Sequence, residues 1–196
     1  MDKKYKTGLK IAGVVIVLVL IGLFLQRNFT KAHSPEDIVM YEEDSLELEV
    51  FYNRPYKKER VIFGELVPYG EVWRTGANEA TTFTTSQDLL IDGSFLAAGK
   101  YTLWTIPGEE TWKVIFNSKM YPWGIDSEMK AYREAEFDVL VLEVPVKNVN
   151  EVVEQFSIYF ERTNDLVFMN LAWDQTKITL PIQKAKEAQE ALLSIN

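Results

Sequence analysis

The sequence of 196 residues has no cysteine, so disulfides, thiolate nucleophiles and cysteine-ligated metals are excluded. Its one histidine, His33, stands just after an apolar segment and ahead of the apparent domain. That leaves no basis for a Ser-His-Asp triad or a histidine-rich metal site. A calcium loop of the DxDxDG kind does not occur. No internal repeat, low-complexity tract or local basic patch stands out beyond the N-terminus. Any catalysis would rest on carboxylates, lysine, tyrosine or a hydroxyl. No catalytic residue, metal or cofactor is assigned on these grounds.

Charge is unevenly spread. The chain holds 21 basic and 29 acidic residues, and six of the former but only one of the latter lie in residues 1–31. The remainder therefore carries 15 basic and 28 acidic groups. A field of that sign repels phosphate backbones, so nucleic acid is not an expected partner.

A long apolar run, Ile11 to Leu25, follows Lys3, Lys4, Lys6 and Lys10. A helix over residues 8–25 would be roughly 27 Å long, close to a bilayer hydrocarbon core of roughly 30 Å. The flanking lysines place the N-terminus in the cytoplasm by the positive-inside rule, and the rest of the chain on the periplasmic or extracellular side. A cleaved signal peptide is the competing reading. The residues after the run, "LFLQRNFTKAHS", offer no small-x-small cleavage site, which favours an uncleaved anchor. The expected organisation is a cytoplasmic tail over 1–7, a transmembrane anchor over 8–26 in contact with the lipid bilayer, a linker over 27–44, a β-domain over 45–182 and a terminal helix over 183–196.

Within the exported part, 47% hydrophobic and 13% aromatic content over the whole chain supplies ample core material and favours strands. "LELEVFY" alternates Leu46, Leu48, Val50 and Tyr52 with Glu47 and Glu49, the period of a half-buried strand. Similar runs fall at 60–63, 81–86, 88–91, 94–96, 100–106, 111–117, 137–144, 155–162, 166–172 and 176–182. Asp92-Gly93 and "PGEE" at 107–110 read as hairpin turns, and Asp174-Gln175 as a third. "SEMKAYREAEF" at 127–137 reads as a short helix or an ordered loop. "QKAKEAQEALLSI" is built from helix formers. The fold class is all-β, an antiparallel β-sandwich or jelly-roll-like domain, between one N-terminal transmembrane helix and a short C-terminal helix.

"YNRP" at 52–55, "RVIFGELVPYGEVWRTGANEATTF" at 60–83, "AAGKYTLWTIPGEETWKVIFN" at 97–117 and "WG" at 123–124 together resemble the bacterial family catalogued as domain of unknown function 2911. The resemblance covers roughly residues 35 to 182. It implies an exported or envelope-associated β-rich domain and brings no catalytic residue with it.

Inside "VWRTGANEATTF", Arg74, Asn78 and Glu79 offer a guanidinium, a carboxamide and a carboxylate, groups that grip a sugar hydroxyl or a small acid. Trp73, Trp104 and Trp123 could supply flat apolar platforms. Arg54, held extended before Pro55, could reach the same end of the sheet and favour an anion. Arg54, Arg74, Asn78, Glu79 and Trp104 are thus the candidate ligand contacts. The bland alternative is a scaffold loop in which Arg74 pairs with Glu79, Gly76 takes a turn position and the tryptophans lie in the core. The expected function is a binding module for a small polar or glycan ligand. The alternatives are a structural envelope domain that binds another envelope protein, and a hydrolase using Glu79 with Glu65, Asp92 or Asp126.

Overall fold

A computed structural model describes residues 3–164 and 166–188. Helix α1 runs from Lys3 to His33, 31 residues or about 46 Å. Its segment Lys10–His33 has a mean hydropathy of 2.1 and none of its apolar window is buried in the protein. This helix is long and apolar enough to cross a membrane. It continues without a break past the expected boundary at residue 26.

The rest is a sandwich of two antiparallel sheets. The larger has the order β1-β2-β3-β6-β7-β8, formed by Glu36–Glu43, Leu46–Asn53, Thr82–Thr85, Gly99–Ile106, Thr111–Asn117 and Asp138–Pro145. The smaller has the order β5-β4-β10-β9, with β4 Leu89–Ile91, β5 Ser94–Leu96, β9 Lys147–Thr163 and β10 Leu166–Lys184. The period-two reading of β2 holds, since Leu46, Leu48, Val50 and Tyr52 all face the core. They pack with Phe83, Leu103, Phe116, Phe156, Ile158, Met169 and Leu180 between the sheets. The Asp92-Gly93 hairpin joins β4 to β5 with positive φ at both residues, 49° and 75°, as a type I′ turn requires. Residues 107–110 join β6 to β7 as expected.

Three expectations about the strands are corrected. The stretch assigned to the linker contains β1, which pairs with β2 along its whole length through a turn at Asp44 and Ser45, both at positive φ. Residues 60–63 form a turn rather than a strand. The apolar run serves to bury Ile62 and to set Phe63 edge-on to Trp73, Trp112 and Trp173. Asp174-Gln175 is no hairpin: it is an irregularity within the continuous strand β10, with register shifts on either side of Asp174. Of the two forms expected for residues 127–137, the ordered loop is the one seen, and it ends in the 3-10 turn Ala135–Phe137. The terminal helix starts at 185, after two further strand residues, and is described through 188; the remainder of the expected span lies outside the described residues.

Strand β9 is an edge of the smaller sheet, and an open edge invites pairing with other chains. The segment 52–57 covers it. Phe156 N–H donates to Pro55 C=O at 2.9 Å, and Lys57 N–H to Glu154 C=O at 2.7 Å. The Tyr52 hydroxyl accepts from Ile158 N–H at 2.9 Å and donates to Ile158 C=O at 3.3 Å. Tyr52→Phe should lower the unfolding free energy by about 1–3 kcal/mol, because two backbone groups lose their partner in a buried place. Burial holds the Tyr52 phenol above its ordinary pKa, with the Ile158 hydrogen bond opposing. An acid whose folded pKa is raised contributes stability below its unfolded pKa and loses it as pH rises. Urea titrations of the wild type should therefore show a fall in stability above about pH 10, and the variant a shallower one. Equal stability and equal slopes would refute this role for the hydroxyl.

Candidate functional site

The loops between β2 and β3 and between β7 and β8 meet the end of α1 around a cleft of about 510 Å³. Trp73 and Trp173 lie at its base with rings 6.0 Å apart and 17° from parallel. Trp73 is fixed by its indole N–H, which donates to Gly76 C=O at 3.0 Å, and by edge contacts with Trp112 and Phe156. The Trp173 indole N–H is buried and has no acceptor among the described residues. Donors of this kind usually have a partner.

The cleft is cationic although its domain is acidic. Among the described residues, Lys58, Arg60, Arg74 and Lys130 line it, against a single acid, Glu71. Arg60 is held by backbone, its Nε donating to Lys57 C=O at 2.9 Å and an Nη to Tyr56 C=O. Lys130 pairs with Glu128 at 3.0 Å, both exposed. Arg74 is half-buried, and its Nη1 donates to the carbonyl of Trp123 at 3.1 Å. Burial pushes its guanidinium below the ordinary pKa, while the charge of Glu79 opposes the shift. A desolvated cation whose close partner is a neutral carbonyl favours the approach of an anion.

Of the five residues singled out from the sequence, Arg74 alone lines the cleft. Arg54 sits elsewhere: its Nη1 pairs with Asp37 at 3.1 Å, its Nε donates to Phe156 C=O at 3.2 Å and its Nη2 to Ser157 Oγ at 2.9 Å, so it fastens β9 to the larger sheet. Trp104 is fully buried and offers no platform. It lies on the outer face of β6 in a second small core with Ala80, Ile115 and Tyr121. Asn78 and Glu79 belong to a polar cluster behind the cleft. Asn78 is buried at φ 53° and donates to Ser34 C=O at 3.2 Å and Asn53 Oδ1 at 3.3 Å. Glu79 accepts from Asn53 Nδ2 at 3.2 Å and faces Lys31 at 3.4 Å. The carboxylate of Glu79 is thus engaged with Asn53 and Lys31, not in the bidentate pair with Arg74 that the scaffold alternative supposed. Gly76 does take the special conformation expected of it, at φ 151°, where a Cβ would stand 2.9 Å from Asn53 C=O.

Lys58, Arg60, Lys130 and Trp173 were not foreseen as site residues, and the statement that no basic patch exists is overturned at this cleft. The run "YKKER" at 56–60 was the available signal. None of the carboxylates considered for hydrolysis, Glu65, Glu79, Asp92 and Asp126, lines the cleft. Asp126 Oδ1 accepts from the N–H groups of Glu128 and Lys130 and shapes the loop. Among the described residues, no three His, Cys, Asp or Glu side chains gather as a metal site.

Residues 34–182 match the family described as Protein of unknown function (DUF2911). The chain belongs to this family. No curated protein and no solved structure matches it. The family match begins at Ser34, directly after α1, and takes in all ordered elements that build the cleft apart from His33 at its rim.

Proposed function

We propose that this protein is a membrane-anchored, extracytoplasmic binding module whose cleft takes a small acidic ligand, such as an acidic sugar or another carboxylate with a flat or apolar part. The observation that carries this reading is the gathering of four basic side chains on one cleft of an acidic domain, with the desolvated Arg74 among them. The half-buried Trp73 supplies area for an apolar face of the ligand. The N-terminal basic cluster and apolar helix support the anchor, with the sandwich on the outer side of the membrane. Glu71 as the sole lining acid speaks against two-carboxylate hydrolysis at this place.

The test uses the full chain in detergent micelles. Thermal shift and titration calorimetry against glucuronate, benzoate and phosphate, each with a neutral counterpart, should show binding of acids only. Arg74→Met should weaken that binding roughly 10-fold or more, the worth of one charge-assisted hydrogen bond. The same substitution should change the urea-unfolding free energy by less than about 1 kcal/mol, because removing the desolvation of the charge offsets the lost hydrogen bond. A loss of about 3–5 kcal/mol would make Arg74 a structural residue and end the reading. So would binding that ignores the charge of the probe.

A further inference from the structure

We propose that the cleft opens onto the membrane surface and that the acid it takes is the headgroup of an anionic lipid in the bilayer that holds α1. This rests on the acid-binding reading above and adds the source of the acid.

The first support is distance along the chain. The apolar run ends at Leu25, and His33, the last residue of α1, already lines the cleft. Eight helical residues rise about 12 Å, and even full extension would give only about 28 Å. The headgroup layer on each side of the hydrocarbon is about 5–8 Å deep. The cleft is therefore tethered within a side chain's reach or two of the headgroups. The domain end is fixed to the helix end at this point as well, through Asn78 to Ser34 and Lys31 to Glu79.

The second support is the composition of the rim. Leu66 and Met129 both line the cleft, and Met129 is 75% exposed. Val61, whose carbonyl accepts from Leu66 N–H, is exposed, and so are Trp123 and Tyr132 on the same loop as Met129. Large apolar and aromatic side chains interleaved with Lys58, Arg60 and Lys130 are the mix that settles into a bilayer interface. The acidity of the whole domain does not prevent this. Charges more than a Debye length of about 8 Å from the membrane are screened, and the cleft itself is lined by four basic side chains against Glu71. The tether removes most of the entropic cost of bringing the two together.

Tryptophan fluorescence tests the inference, because all five tryptophans lie outside α1 and only Trp123 is among the exposed large apolar residues. The full chain is reconstituted into vesicles of phosphatidylcholine with brominated acyl chains, with or without one part in four of phosphatidylglycerol. Bromine should quench the emission in both, more strongly with phosphatidylglycerol. Trp123→Phe should remove most of the quenching, a double Leu66→Ser, Met129→Ser variant should weaken it, and Arg74→Met should abolish the extra effect of phosphatidylglycerol. Quenching absent from the wild type, or unchanged in Trp123→Phe, overturns the inference. If glucuronate still binds in an Arg74-dependent way in detergent, only the lipid source has failed and the cleft draws its acid from solution. If quenching is seen but ignores phosphatidylglycerol and Arg74, the loops touch the bilayer and headgroup recognition is overturned.

Discussion

Trp104→Ala is expected to lower the unfolding free energy by about 3–5 kcal/mol, as large-to-small changes of a buried tryptophan do. The side chain is fully buried, yet it lies on the side of the larger sheet that faces away from the sandwich core. There it meets Tyr121 edge-on, with ring centroids 5.2 Å apart and planes at 89°, and its indole N–H donates to Thr102 Oγ1 at 3.0 Å. Gly124 closes the packing: a Cβ at that position would stand 3.1 Å from the Trp104 ring and 3.2 Å from Ala80. The glycine is at φ 71° besides, where a side chain would be strained. Trp104 is thus the seat on which the loop between β7 and β8 rests. The same loop carries Trp123, whose carbonyl receives Arg74, and Met129 and Lys130, which line the cleft. Removing the indole should therefore weaken acid binding at the cleft although Trp104 does not line it. Urea unfolding followed by circular dichroism gives the first quantity, and calorimetry with glucuronate gives the second. A stability loss below about 1 kcal/mol would mean that the loop is held by other contacts, and this account of the second core would fail.

Trp104 also illustrates why the site was only partly legible in the sequence. A tryptophan in a strand that alternates "YTLWTI" can face either side of its sheet, and on the outer side it is a platform if uncovered and a core residue if a loop folds over it. The covering loop is an irregular segment 15 or more residues further on, and its path has no period to read. The cleft is assembled in the same manner. Lys58, Arg60, Arg74 and Lys130 come from three separated stretches, so no sequence window contains the patch that they form together. The strands were legible where one face is buried and the other wet, as in β2, and where a turn has its usual residues, as at Asp92-Gly93. They were missed where these signals fail. In β1 the inward residues Val39 and Tyr41 are only half-buried and Ile38 and Met40 point outward, while the turn to β2 uses Asp44-Ser45 with no glycine. The first half of β9 is an exposed edge with almost no buried residue. Asp174 looks like a turn former because its backbone does bend, at φ 54°, but its carboxylate is held by Lys57 at 2.8 Å and the strand continues.

The largest polar effect is expected at Asn53. It is fully buried at the end of β2, and its amide serves two neighbours, donating to Glu79 and accepting from Asn78. Asn53→Leu keeps the volume and removes both bonds. A carboxylate that loses a donor in a poorly hydrated place, together with a buried carboxamide that loses an acceptor, should lower the unfolding free energy by about 3–5 kcal/mol. Asn53→Asp should be nearly as harmful, since it faces a second carboxylate where an amide donor is needed. If the loss comes from stranding Glu79, pairing Asn53→Leu with Glu79→Gln should recover part of it, and a double-mutant cycle would show coupling of about 1 kcal/mol or more. Additive losses would place the cost elsewhere, for instance in the backbone at Gly76, whose vacant Cβ position lies against the Asn53 carbonyl. The contrast with Arg74 gives the pair of variants its use. Six residues of one loop are expected to contain a charge that the fold can lose cheaply and a polar cluster that it cannot, and the charge is the one that lines the cleft. Stability that falls at Asn53 and holds at Arg74, with binding that falls at both, is the pattern expected if the inner half of the loop is framework and the outer half presents the arginine to a ligand.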